Sequence, residues 1–258
     1  MGNTKAQPED IQVPAYDDIV DAHGLTILNE VGDWSVENGD LFLTKDGDFK
    51  VGDTAYNGLF RLVQTWRFSE AHLRYLFDTI GKVLAWRKSL DERLNALGEE
   101  RASRFSLEPD PDFWRALHAI DDQQAATVFG ASIYAGALIL MLSGALLRFR
   151  DDIDGKDHWT KVGPFFNGHS VGAIIEAGAN GFRHADEWAK TRTPDARQKR
   201  SQDIINGALS GSPPPDESSM GKCVELLQML GGGKFKGLAT NVFTFAHGLA
   251  VEVRAKSS

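Results

Sequence analysis

The chain is nearly without cysteine: Cys223 is the only one in 258 residues. A single thiol excludes an intrachain disulfide framework and any zinc or iron–sulfur site built from several cysteines. Histidine spacings typical of metal sites are missing too. The seven His residues give no HExxH, no ExxH and no pair at i,i+4. Asp151-Asp152-Ile153-Asp154-Gly155 starts like a calcium loop, but Lys161 stands where the closing carboxylate belongs. No metal or cofactor is therefore expected. There is no phosphate-binding loop, because Gly231-Gly232-Gly233-Lys234 lacks the upstream glycine, the preceding strand and the Ser/Thr after the lysine. It reads as a hinge between helices. No GxSxG occurs. Cys223 has no motif around it and reads as a packed helical residue. The six tryptophans follow no regular spacing of the kind that stacks a single strand.

What is present is an ordinary soluble composition, 42% hydrophobic and 25% charged, which excludes global disorder, collagen and coiled-coil readings. The net charge of −8 is unevenly placed. Residues 1–55 hold 12 acids against 3 bases, and the rest of the chain holds 24 acids against 25 bases. The larger part is thus about neutral, and the overall acidity does not argue against an RNA partner for it. Met1–Asp10 is polar and lacks a basic stretch leading into an apolar one, so a cytoplasmic location is expected. Ala125–Leu147 runs 23 residues without a charge, long enough to cross a bilayer. Its three Gly, two Ser, one Thr and six Ala favour a helix buried within a helical domain.

The pattern predicts a mostly α fold, a bundle of about seven helices preceded by a small β-meander. Residues 1–52 read as an acidic segment of loop and short hairpins, with turns at Asn38-Gly39 and Asp46-Gly47. Residues 53–258 read as the helical domain, with a sub-boundary at 98–112. Within it, Asp53 or Thr54 caps a first helix and Ser69 caps a second. Gly98–Asp112 is a connector. A short helix over Phe113–Ile120 precedes the long apolar one, and Asp151–Gly168 is a loop. His169–Lys190 is helical, and Thr193-Pro194 starts the next helix with proline at its first position. Two more helices lie near Ser219–Leu230 and Lys234–Val253.

The stretch His169–Arg192 carries the candidate chemistry. On a helix, Val171, Ile175, Gly178, Phe182, Ala185 and Ala189 form an apolar stripe. Glu176, Asn180, Arg183, His184 and Glu187 share another side. That side combines acids, an amide, a fixed cation and an imidazole. Gly178 and Gly181 weaken the helix without capping it, which suggests a close approach there.

Asn180-Gly-Phe-Arg-His184-Ala-Asp-Glu-Trp188 resembles the helical motif of HEPN-domain ribonucleases, including those of abortive-infection proteins. The family pattern is Arg-Asn, three residues, then His, at times followed by Trp. Asn180 and His184 keep that spacing; the arginine position holds Ala179, and Arg183 lies one turn on. The resemblance implies RNA cleavage without a metal, in a toxin or phage-defence setting, by a homodimer. In that reading the ribose 2′-OH attacks the adjacent phosphate and His184 serves as general base or acid. Arg183 stabilises phosphate charge and Asn180 orients a phosphate oxygen or the imidazole. Glu176 and Glu187 hold the imidazole tautomer. Bases from Arg183 to Arg200 guide the RNA backbone. The acidic N-terminal segment is expected to shield the site. Two alternatives stand beside this reading: a non-catalytic helical interaction or regulatory module, and a membrane-associated protein using 125–147.

Overall fold

The computed structural model describes residues 13–29, 54–103, 110–190, 193–210 and 221–257. The expected hairpins at 33–51 and the proline-rich loop at 211–217 lie outside the described residues. The fold among those described is almost entirely helical, with eight α-helices and one two-stranded ribbon.

Two long helices form the spine. α2 is Thr54–Ser103, 50 residues, and α3 is Pro111–Asp152, 42 residues. The sequence reading had split each of them. Ser69 does not cap a new helix: its Oγ donates to the Thr65 carbonyl at 2.9 Å, which keeps it inside the helix. The apolar stripe Leu59, Leu62, Val63, Trp66, Leu73 and Ile80 runs through that point and is buried on one side throughout. The connector expected from Gly98 is likewise helical to Ser103. At the start of α3, Asp110 is the N-cap, its carboxylate accepting from Phe113 N–H at 3.0 Å, with Pro111 as first helical residue. No Gly or Pro interrupts Asp121–Gln124, so the expected short and long helices are one.

α2 and α3 are antiparallel. Arg61 near the start of α2 pairs with Asp152 at the end of α3 at 2.9 Å, and Asp91 accepts from Gln124 at 2.6 Å. Their lower halves carry the main core. Beyond them, residues 81–103 and 111–126 form a thin arm in which only Leu90 and Ile120 are buried. The remaining helices are α4 (Val171–Arg183), α5 (Ala185–Lys190), α6 (Ala196–Ala208), α7 (Gly221–Gly231) and α8 (Phe235–Ser257). α4 and α7 pack on α3, α8 packs on α2, and α5 and α6 lie against α4. Trp66 and Phe243 meet edge-on with ring centroids 4.9 Å apart, and Trp159 and Phe245 do so at 5.0 Å. Between α3 and α4 the chain makes a 3-10 turn, Gly155–His158, and a ribbon of β1 (Phe165–Phe166) with antiparallel β2 (His169–Ser170). The glycine triplet is the expected hinge: Gly232 and Gly233 sit at φ +55° and +75° between α7 and α8. Cys223 is buried in α7, and burial pushes its thiol up to about 12.

The N-terminal part corrects the expectation of loop and strand. Residues Tyr16–His23 form α1, followed by a 3-10 turn, Thr26–Leu28. Ile19, Val20, Leu25, Ile27 and Leu28 belong to the same core as the bundle. Two histidines hold this segment. The His23 ring stacks on Phe243 at 4.6 Å, and Thr26 Oγ1 lies 3.1 Å from His247 Nε2. Burial lowers the pKa of both; for His23, Glu70 opposes this shift and Lys236 adds to it. Both imidazoles therefore stay neutral to lower pH in the fold than in the unfolded chain, which protonates them near the ordinary value of about 6.5. Their contribution to stability is complete above that pH and is lost as pH falls through the lowered folded values. The melting temperature should fall between neutral pH and mildly acidic pH. The double variant His23→Leu with His247→Gln should show a shallower fall in thermal denaturation followed by circular dichroism; an equal fall would place the titration elsewhere.

Candidate functional site

α4 is a central helix, packed against α3, α6, α7 and α8. Ser170 caps it, accepting from Ala173 N–H at 3.3 Å while donating to the Trp159 carbonyl at 2.8 Å. Nine of its 13 residues are buried. The two glycines do mark close approaches, but to the chain's own core. A Cβ at Gly178 would stand 3.0 Å from Leu226, and one at Gly181 would stand 3.2 Å from Ile205 and 3.4 Å from Trp188. Ala179, at the position where the resembled family has arginine, is 1% exposed. A guanidinium there would be buried without a partner.

The helix predicted across His169–Lys190 breaks at His184, which caps α4 before α5 starts at Ala185. The break turns the His184 side chain, 42% exposed, into a groove of about 670 Å³. Four of the five predicted site residues line it: Glu176, Asn180, His184 and Glu187. Arg183 is exposed and does not line it. The cations of the groove come from other elements: Arg150 at the end of α3, Lys156 after it, and Arg197 and Arg200 on α6. The last two belong to the basic run Arg183–Arg200 of the sequence. Arg150, Lys156 and Trp159 lie over 20 residues from the motif and reach it only by folding, so no local pattern marks them.

The acids have different partners. Glu187 Oε2 lies 2.9 Å from His184 Nδ1, which leaves Nε2 for other partners. Glu176 instead accepts from Trp159 Nε1 at 2.8 Å and stands 3.7 Å from Arg150 Nη1. Arg150 also bonds Asp151 through Nε at 3.0 Å and Nη2 at 2.9 Å, and its guanidinium lies 5.2 Å from the Trp159 ring centroid. Glu176 therefore braces the groove wall, not the imidazole.

α6 is capped by Asp195, not by Thr193. Asp195 and Gln198 form a reciprocal capping box, which satisfies more backbone donors than a threonine cap. Asp195 Oδ1 takes the N–H groups of Arg197 and Gln198, both at 2.8 Å. The helix end is thus closed to another anion. Its guanidiniums are not: among the described residues neither Arg197 nor Arg200 has an ion-pair partner, and the Asn180 carboxamide has no hydrogen-bond partner. The groove therefore presents a base held by a carboxylate, a free amide and two free guanidiniums. That set is suited to holding a phosphodiester and moving a proton beside it. Comparison with protein-family models, with curated proteins and with solved structures finds no match.

Proposed function

We propose that the protein is an endoribonuclease that cleaves RNA without a metal, with its site in the groove between the α4–α5 break and α6. The observation that carries this reading is the joint placement of His184, fixed by Glu187, with Asn180, Arg197 and Arg200 on one groove. His184 Nε2 takes the proton of a ribose 2′-OH. The 2′-oxygen then bonds to the adjacent phosphorus, and the bond from phosphorus to the 5′-oxygen breaks. The leaving oxygen takes a proton from water in the open groove, and the hydroxide so formed takes the proton held on His184 Nε2, which restores the base. The products are a 2′,3′-cyclic phosphate and a 5′-hydroxyl. Arg197 and Arg200 offset the charge that develops on the phosphate oxygens, and Asn180 donates to one of them. The reading keeps the roles that the HEPN resemblance implies for His184, Asn180 and Glu187. It moves the cationic role from Arg183 to α6.

The test separates the cations. Arg197→Ala and Arg200→Ala should each weaken binding of a non-cleavable 2′-O-methyl RNA and lower the slope of log affinity against log salt by about 1. Arg183→Ala should leave both unchanged. Fluorescence anisotropy across a salt series measures this. Equal effects from Arg183→Ala would remove the α6 guanidiniums from the proposal.

A further inference from the structure

One face of α3 is buried against α2, α4 and α7. The other is apolar and exposed: Phe129 is 57% exposed, Ile133 40% and Met141 41%. No charged side chain lies between Asp122 and Arg148. The face also has small residues at seven-residue steps, Gly130, Ala137 and Gly144. A Cβ at Gly130 or Gly144 would meet nothing within 4 Å, so packing inside the chain does not require these glycines. Gly136, on the opposite face, differs: a Cβ there would collide with the Phe182 ring. A repeat of seven is the period at which one helix lies along another, and small residues let their backbones approach.

The charges at the ends indicate which helix lies there. Asp122 and Arg148 sit on this same face, both exposed, and among the described residues neither has an ion-pair partner. We propose that the face is the seam of a homodimer, in which two copies of α3 lie antiparallel about a two-fold axis at the level of residue 135. That arrangement brings Asp122 of each copy to the level of Arg148 of the other. The same register sets Ile133 against Ala137, large beside small, and Ala126 against Gly144, small beside small. A parallel pair would set Asp122 beside Asp122 and Phe129 beside Phe129, with neither charge nor shape matched. A bilayer around α3 would have to displace α2, α4 and α7, which cover its other face and bury 44% of its most apolar stretch. The seam does not depend on the ribonuclease reading, and its test uses no RNA.

Sedimentation velocity on the full chain at micromolar concentration should show a dimer. Ile133→Glu, an exposed position, should give a monomer with unchanged helical circular dichroism. Asp122→Arg and Arg148→Asp should each raise the dimer dissociation constant at least about tenfold. The combined charge swap should restore the parent value. A monomeric parent would overturn the proposal, as would a dimer indifferent to Ile133→Glu or to both single charge reversals. A monomeric parent that floats with phosphatidylcholine vesicles would instead make the face a membrane contact.

Discussion

Ala179→Arg is expected to destabilise the protein by about 3–5 kcal/mol, a large part of the roughly 5–15 kcal/mol that holds a domain folded. The substitution installs the arginine that the resembled ribonuclease motif carries at this position. Here the side chain enters the apolar core, where Ala179 is 1% exposed. A guanidinium there loses its water and meets no carboxylate, and the cost of an uncompensated buried charge is of that order. The midpoint of urea unfolding should fall accordingly, with the melting temperature. If Ala179→Arg folded like the parent and cleaved RNA faster, the guanidinium would be reaching the groove, and the account of α4 as a core helix would be wrong.

His184→Ala is expected to lower RNA cleavage by about a hundred- to ten-thousand-fold, the usual contribution of a general base. The ring is partly exposed at a helix break, so the change should leave the unfolding midpoint close to the parent's, within about 0.5 kcal/mol. On the proposed mechanism the His184→Ala loss falls on kcat, whereas Arg197→Ala should both raise KM and lower kcat, because its guanidinium would bind the phosphate and offset the charge that develops on it. Glu187→Gln should show a smaller loss, since the amide still accepts from Nδ1 but no longer balances an imidazolium. Single-turnover cleavage of a labelled RNA measures both variants. Loss of folding in His184→Ala would assign the residue to the scaffold.

The helical class was legible because the apolar periodicity in α2, α3, α7 and α8 is long and strong. Their joints were not. Ser69 satisfies the N-cap pattern, yet its hydroxyl bonds back to Thr65 because the apolar stripe on either side keeps one burial face. Thr193-Pro194 satisfies the proline-first pattern, yet the two-way box of Asp195 and Gln198 starts the helix two residues later. The N-terminal helix α1 was hidden because its apolar content is only a few residues among several acids. It is stable only on the surface that α2 and α8 supply.

The candidate site divides in the same way. Asn180, His184 and Glu187 lie within eight residues, so their shared face was readable from helical spacing. The break at His184 was not readable, and it is what turns the ring into the groove. Glu176 was read as a partner of the imidazole because it lies two turns away on the same side. The fold brings Trp159 and Arg150 closer to it. Arg183 was read as the phosphate cation from its place beside His184. The α4–α5 break leaves it outside the groove, while Arg197 and Arg200 reach it from α6.

The proposed task of His184 is to activate a ribose 2′-OH. The most direct test uses an oligonucleotide of deoxynucleotides with one ribonucleotide, incubated with the parent protein in a chelating buffer. The expected result is a single cut on the 3′ side of the ribonucleotide, a 2′,3′-cyclic phosphate at the new end by mass spectrometry, and no cut with His184→Ala. An uncut oligonucleotide, or equal cutting of the all-deoxy strand, would contradict it.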